Sequence, residues 1–219
     1  MVIVELESVG QFVEKVLNDP PELIYRGVPR ADYKLIPSVG RKSIPKNSVI
    51  AYEFWMLAEF KRHAVPYVNP LPRTDWEWLS LAQHHGLPTR LLDWTMNPLV
   101  ALFFAAEKHP DSDCAVYSFK PQQTISPLGD VESPLTLHGL FAVLPAHVTP
   151  RITAQAGLFT IQSDPTQEIA ETQITKTVFK ACLKPDLLKQ LKKFGISASF
   201  VFPGLDGLAK SLAWQMPGM

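Results

Sequence analysis

Hydrophobic positions in the first half of the chain recur with the period of an α-helix. In "SVGQFVEKVLND", Val9, Phe12 and Val16 follow this spacing behind Ser8, a residue type that caps helix N-termini. The pattern predicts a first helix here. Further helices are predicted over 47–64, 74–86, 97–109, 185–195 and 205–214.

Two of these helices carry capping signals in the sequence. Thr74 with Glu77 three positions later forms a capping-box pattern, and Gly86 is placed to end the same helix. Asn97 is a predicted N-cap, and Pro98 then occupies the first helical position, where its missing N–H costs nothing.

The helix predicted over 47–64 is strongly amphipathic. Its apolar residues Ile50, Phe54, Leu57, Ala58 and Phe60 lie near one face, which we expect to pack on the core. Helical spacing places most of the nearby tryptophans in the core as well, namely Trp55, Trp76 and Trp78.

Segments rich in Val, Phe and Thr predict strands, chiefly in the second half. They are "ELIYRG" early in the chain, then "CAVYSFK", "LFAVLPA", "GLFTIQS" and "TKTVFKA". Segregated helices and strands favour an α+β fold with a mixed or antiparallel sheet and a helix-rich N-terminal half. With no convincing linker, we expect a single domain over residues 1–219.

Composition narrows the class of protein. The 219 residues carry 21 basic and 21 acidic side chains, and this balance argues against nucleic acid as the main partner. Two cysteines make no disulfide framework. The first residues do not resemble a signal peptide, and the longest apolar run is too short for a bilayer, so we expect a cytoplasmic protein without a membrane partner.

The segment "LAQHHGLPTRLLDW" mixes polar side chains with leucines and a tryptophan. We predict a loop after the helix end, anchored by its apolar residues, that presents a polar cluster. Either the cluster forms a site, or it only closes the loop through buried hydrogen bonds. The candidate residues of this cluster are Gln83, His84, His85, Thr89, Arg90, Asp93 and Thr95.

A second candidate is the tripeptide Tyr25, Arg26 and Gly27 at the end of the early strand. An arginine fork suits phosphate or carboxylate, and glycine lets the chain turn or a ligand approach closely. The alternative is a structural ion pair of Arg26, with Asp93 or Glu59 as partner. We expect Arg26 to share one cleft with the polar cluster.

Two later stretches are weaker candidates. In "TAQAGLFTIQ", Gln155 precedes a strand and either bonds a ligand or satisfies a loop backbone. In the last stretch we interpret Asp206, Gly204 and Gly207 as structural.

Familiar catalytic signatures are missing from the sequence. Adjacent histidines on a regular helix cannot both face one metal, and the cysteines are far apart, so we expect no metal site. The sequence also lacks a G-x-S-x-G elbow and a glycine-rich phosphate loop, which excludes the commonest hydrolase and nucleotide-binding folds.

Together these stretches resemble the FRG domain, a family named for a Phe/Tyr-Arg-Gly motif and found mostly in bacteria and phages. The resemblance rests on "YRG" at 25–27, "LAQHHGLPTRLLDWTMNPLVALFFA" at 81–105, "AQAGLF" at 154–159 and "GISASFVFPGLDGLAKSL" at 195–212. These motifs follow one another over nearly the whole chain.

A weaker resemblance is to the layout of ADP-ribosyltransferases, in which an early Arg or His grips NAD and a late Glu drives catalysis. It implies that Arg26 holds the early position, Thr89 or Thr95 the middle one and Gln155 the late one. Gln155 lacks the negative charge of a glutamate, which puts transfer chemistry in doubt. Glu168 or Glu171 is a possible replacement.

The resemblance therefore implies two functions. The first is an NAD-utilising ADP-ribosyltransferase or NAD glycohydrolase, acting as a bacterial toxin or phage-defence effector. In this function Arg26, His84 and Gln155 would be catalytic, with the other candidates binding the substrate. The alternative is a non-catalytic module that binds a nucleotide or a protein partner through the same pocket.

Overall fold

The chain folds around one mixed β-sheet, which the computed structural model describes over residues 1–45, 48–127, 132–145, 150–169 and 174–215. In these ranges the strands are β1 (Val2–Glu5), β2 (Ile24–Val28), β3 (Leu92–Thr95), β4 (Cys114–Phe119), β5 (Thr124–Ile125), β6 (Leu140–Val143), β7 (Gly157–Gln162) and β8 (Thr175–Phe179). The helices are α1 (Val9–Asn18), α2 (Val49–Ala64), α3 (Asp75–His84), α4 (Pro98–Ala106), α5 (Pro150–Ala154), α6 (Lys184–Lys193), α7 (Ala198–Val201) and α8 (Leu205–Gln215). The predicted α+β fold with a mixed sheet is confirmed.

The strand order across the sheet is β1-β8-β4-β2-β3-β7-β6-β5. The central pairings, from β8 to β6, are antiparallel, and the two outermost pairings are parallel. The shortest strand pairing lies in the middle of the sheet, where β2 and β3 pair only through Tyr25 and Thr95. By contrast, β2 pairs with β4 along five residues. We infer that β2 and β3 diverge beyond this single pair.

Helix α4 packs directly on β2, and the two backbones approach each other closely at Gly27. The Cβ of an alanine at position 27 would lie 1.8 Å from the carbonyl oxygen of Ala101. Glycine is therefore required at this point for close packing of helix on strand. The absent side chain of Gly27 makes room for α4, and a role of this glycine in ligand approach stays a prediction.

Two hydrophobic clusters lie on opposite faces of the sheet. Val116 of β4 packs with α1, α4 and α6, whereas its neighbours Ala115 and Tyr117 pack with Trp94 of β3. Successive strand residues point to opposite faces, so each cluster covers one side. A third cluster joins α2 and α3 to β6 and β7 through Trp76, Trp78 and neighbouring residues.

The predicted helix caps form as expected. The Ser8 hydroxyl accepts from the Gln11 N–H, the Thr74 hydroxyl accepts from the Glu77 N–H, and the Asn97 side chain accepts from two N–H groups of α4. Gly86 follows α3 with φ +84°, the left-handed conformation that favours glycine. The cap predictions are confirmed.

The predicted apolar face of α2 is confirmed only in part, because Leu57 is buried and Phe60 packs against the third cluster. Ile50 and Phe54 are exposed, whereas Glu53 and Met56 are buried. The physical reason is long-range, since Glu53 neutralises a buried arginine 37 positions later. Of the three tryptophans, Trp55 is exposed and the other two are buried, as expected for most of them.

The structure also adds elements that the sequence patterns did not reveal. Residues 92–95, expected in a loop, form β3, and the short elements β1, β5, α5 and α7 were not predicted. Both cysteines are free. In the described part of the chain, no helix is long and apolar enough to cross a membrane.

Candidate functional site

A cavity of about 290 Å³ lies beside the short pairing of β2 and β3. Its walls come from β2, β3, the start of β7, and helices α3, α4 and α5. Both candidate stretches of the sequence contribute, so the structure brings the tripeptide and part of the polar cluster into one cavity. The candidate residues that line it are Tyr25, Arg26, Gly27, Gln83, His84, Asp93, Thr95 and Gln155.

Arg26 spans the gap between the two diverging strands. Its Nη1 donates to the backbone carbonyl of Asp93 at 2.5 Å and lies 3.8 Å from the Asp93 carboxylate. Its side chain is 19% exposed, and its Nε is buried without a hydrogen-bond partner among the described residues. Burial lowers the pKa of the guanidinium, and Asp93 acts in the opposite direction. Glu59, the other expected partner, pairs instead with Arg62.

Gln83 connects α3 to β3 through a chain of hydrogen bonds. Its Nε2 donates to both carboxylate oxygens of Asp93 at 3.1 Å, and its Oε1 accepts from the Thr89 hydroxyl. Thr89 is buried, and its N–H donates to the Ser38 hydroxyl. Thr89 therefore holds Gln83 in position and does not line the cavity.

Arg90 lies outside the cavity, which corrects the expectation that the segment presents it toward Arg26. Its guanidinium is 1% exposed and forms a double ion pair with Glu53, at 3.0 and 2.7 Å. Its Nη1 also donates to the carbonyls of Pro134 and Leu135. Because the charge is already satisfied, Arg90 is structural.

The two histidines have different environments. His84 is half-buried and lines the cavity, whereas His85 is exposed at the end of α3 and does not. The expected role of His85 in substrate binding stays a prediction. Burial lowers the pKa of His84, and the positive charges of Arg151 and His85 lower it further.

Thr95 and Gln155 meet where β3 runs beside β7. The Thr95 hydroxyl donates to the Gln155 backbone carbonyl at 2.5 Å and accepts from the Asn97 N–H at 2.9 Å. The Gln155 side-chain Nε2 donates to the Val201 carbonyl at 3.0 Å, which ties it to α7. These bonds fix the loop that enters β7.

Tyr25 lies beside Gly27 on β2 and is 6% exposed. Burial raises the pKa of its phenol, with a smaller contribution from the negative charge of Asp19. Tyr25 therefore stays neutral and supplies an apolar wall at neutral pH.

Several lining residues were missed by sequence reasoning. Phe104 lies in α4, Glu107 is the C-cap of that helix, and Lys108 follows it. Arg151 lies in α5. Each of these residues stands alone in the sequence, without a motif around it. Only the packing of α4 on β2 and of α5 on β7 brings them to the cavity.

Of the two expected replacement acids, Glu168 does not line the cavity. Glu168 accepts from the Leu35 N–H at 3.3 Å and is absent from the cavity wall, and Glu171 lies outside the described residues. The carboxylates at the cavity are Asp93 and Glu107. Among the described residues, no group of His, Cys, Asp and Glu is arranged to hold a metal ion.

The chain has an α+β fold with one eight-stranded sheet and a cavity beside the β2–β3 pairing. Residues 21–114 match the family model of the FRG domain, and the chain therefore carries an FRG domain over this segment. The match includes β2, β3, α3 and α4 but ends before Arg151 and Gln155, so an FRG domain over the whole of residues 1–219 stays a prediction. Comparisons with curated proteins and with solved structures give no match.

Proposed function

We propose that the cavity binds a nucleotide, with NAD as the ligand to test first. The observation that carries this proposal is the meeting of Arg26, Thr95 and Gln155 at one cavity. They come from β2, β3 and the loop that enters β7, and these three strands are neighbours in the sheet. This order parallels the early, middle and late positions of the ADP-ribosyltransferase layout.

The chemistry of the lining supports a phosphate-bearing ligand. Arg26, Lys108 and Arg151 provide three positive charges, against the two carboxylates of Asp93 and Glu107.

The volume supports partial enclosure of the ligand. Small-molecule sites run from about 300 to 1,000 Å³, and about 290 Å³ lies at the lower end. We expect the cavity to enclose one nucleoside-sized part of NAD, with Phe104 offering an aromatic wall, while the remainder extends outward.

Thermal unfolding with and without NAD tests the proposal. NAD at about a hundred times its dissociation constant adds roughly 2.7 kcal/mol, which corresponds to a rise of about 5 to 10 °C in Tm. The rise should be lost in Arg26→Gln and kept in Arg73→Gln, which removes an exposed charge outside the cavity wall. An unchanged Tm with NAD for the unmodified protein would contradict NAD binding.

A second candidate function is turnover of NAD, favoured by the two carboxylates at the cavity. Cleavage breaks the bond between the nicotinamide nitrogen and the ribose C1′, and water or an acceptor forms the new bond to C1′. A carboxylate stabilises the positive charge that develops on the sugar. Consumption of NAD would suit a bacterial toxin or phage-defence effector.

Nicotinamide release separates the two functions. If Glu107 provides the charge that Gln155 lacks, Glu107→Gln should reduce release about a hundredfold or more while NAD still binds. Saturable binding with no product over a long incubation would identify a binding module. Absence of binding would instead favour a protein partner.

A further inference from the structure

The positively charged side chains around the cavity differ in the partners that they already have. Arg26 donates to the Asp93 carbonyl and lies near its carboxylate. Lys108 is exposed, so water solvates its side chain. Arg151 is half-buried, and among the described residues no carboxylate lies within ion-pair distance of it.

Arg151 is held in place by an aromatic ring. Its guanidinium carbon lies 4.9 Å from the centroid of the Phe202 ring, and Lys210 lies 4.8 Å from the same ring. A guanidinium that lies flat on an aromatic ring keeps the N–H groups at its edge able to bind a planar pair of oxygens.

Glu107 is the nearby acid that could have neutralised this arginine. It lines the same cavity, yet its ion pair is with Lys210, at 3.5 Å. The other cavity acid, Asp93, bonds Gln83 and faces Arg26. The charge of Arg151 is therefore uncompensated by the described carboxylates.

We infer that Arg151 binds the phosphate group of the ligand, while Arg26 chiefly joins β2 to β3 and shapes the cavity. That the ligand is a nucleotide rests on the proposed function. Binding at Arg151 itself requires only a phosphate or pyrophosphate group. A half-buried arginine without an acidic partner has its desolvation offset when such an anion binds. Arg151 is then the residue that selects phosphate-bearing ligands over neutral nucleosides.

Calorimetric titration with three probes tests this inference. The probes are inorganic pyrophosphate, NAD, and nicotinamide riboside, which lacks phosphate. Arg151→Gln should weaken pyrophosphate and NAD binding by about tenfold to a hundredfold, the usual range for one charge-assisted contact, and leave nicotinamide riboside unchanged. Arg151→Lys should retain part of the affinity, which shows that the site is still folded. Arg73→Gln is the control for loss of a distant charge.

The outcomes separate this inference from the proposed function. Unchanged NAD binding by Arg151→Gln overturns the role of Arg151 and leaves nucleotide binding standing. Equal losses for NAD and nicotinamide riboside also overturn it, because the effect would not depend on phosphate. Pyrophosphate binding that depends on Arg151, without NAD binding, supports the inference and contradicts the proposed function. Absence of binding by all three probes contradicts both.

Discussion

The guanidinium of Arg90 and the carboxylate of Glu53 form two parallel hydrogen bonds, of 3.0 and 2.7 Å, between side chains that are 1% and 3% exposed. Removal of one partner leaves an uncompensated buried charge. We expect Arg90→Ala and Glu53→Ala each to lower the free energy of unfolding by about 3 to 5 kcal/mol, measured by urea denaturation.

The exposed pair of Arg62 and Glu59 provides the control. Arg62→Ala should change the free energy of unfolding by about 1 kcal/mol or less. A double replacement of Glu53 by Leu and Arg90 by Met should recover much of the loss, because no isolated charge remains. Similar small effects for the buried and exposed pairs would contradict this account.

A second prediction concerns Gly27. An alanine Cβ there would lie 1.8 Å from the Ala101 carbonyl oxygen, a backbone atom that cannot move without displacing α4. We expect Gly27→Ala to destabilise the protein by about 3 kcal/mol or more. The matched control is Gly10→Ala in α1, where the nearest atom is 3.8 Å away and a gain of about 0.4 to 1 kcal/mol is expected. Equal effects in thermal unfolding would show that the contact with α4 is unimportant.

The protonation of His84 gives a third prediction. Burial and the charges of Arg151 and His85 lower the pKa of His84 below the ordinary value of a histidine, so neutral imidazole should be the major form at pH 7. The unfolded chain then binds the proton more tightly, and the contribution of His84 to stability falls as the pH drops below about 6.5. A proton NMR titration should show an upward shift in its pKa in Arg151→Gln. An unchanged pKa of His84 in that variant would mean that the two side chains lie too far apart to interact.

Lys184 gives a fourth prediction. Its buried ammonium donates to the carbonyls of Pro29, Lys108 and His109, at 2.8, 2.8 and 2.7 Å, and so ties α6 to the ends of β2 and α4. Lys184→Met removes the donor shared by these carbonyls. The carbonyls of Pro29 and Lys108 then lose their partner, while that of His109 keeps the Ser112 N–H, so we expect a loss of about 2 to 4 kcal/mol in urea denaturation.

Lys189, exposed on the same helix, serves as the control for Lys184. Lys189→Met should change stability by about 0.5 kcal/mol or less. A comparable loss in both variants would mean that α6 responds to charge alone and that the three carbonyl contacts are unimportant.

Local signals in the sequence account for most of the helices. Ser8, Thr74 and Asn97 cap their helices as predicted, because a cap depends on groups only two or three positions away. The strands with continuous Val, Phe and Thr content, such as β4 and β7, are also found where their pattern predicts them.

Long-range pairing is what the sequence patterns do not contain. The strand β3 is only four residues long and includes Asp93 and Thr95, and it forms because β7 lies beside it. The buried position of Glu53 depends on Arg90 in the same way. At the cavity, Arg26 and Asp93 were expected to lie together, whereas Glu107 and Arg151 were missed because their own neighbours in sequence give no signal.

The strand order has a consequence for synthesis of the chain. The FRG match contains β2 and β3 and reaches the first residue of β4, and these strands occupy the middle of the sheet. Their outer neighbours, β7 and β8, begin at Gly157 and Thr175. Ribosomes add roughly 5 to 20 residues per second, so the central strands are synthesised several seconds before their outer neighbours. Until then their outer hydrogen-bonding edges have no partner strand. During that interval the nascent chain is vulnerable to aggregation, and the segment 21–114 expressed alone would remain in that condition.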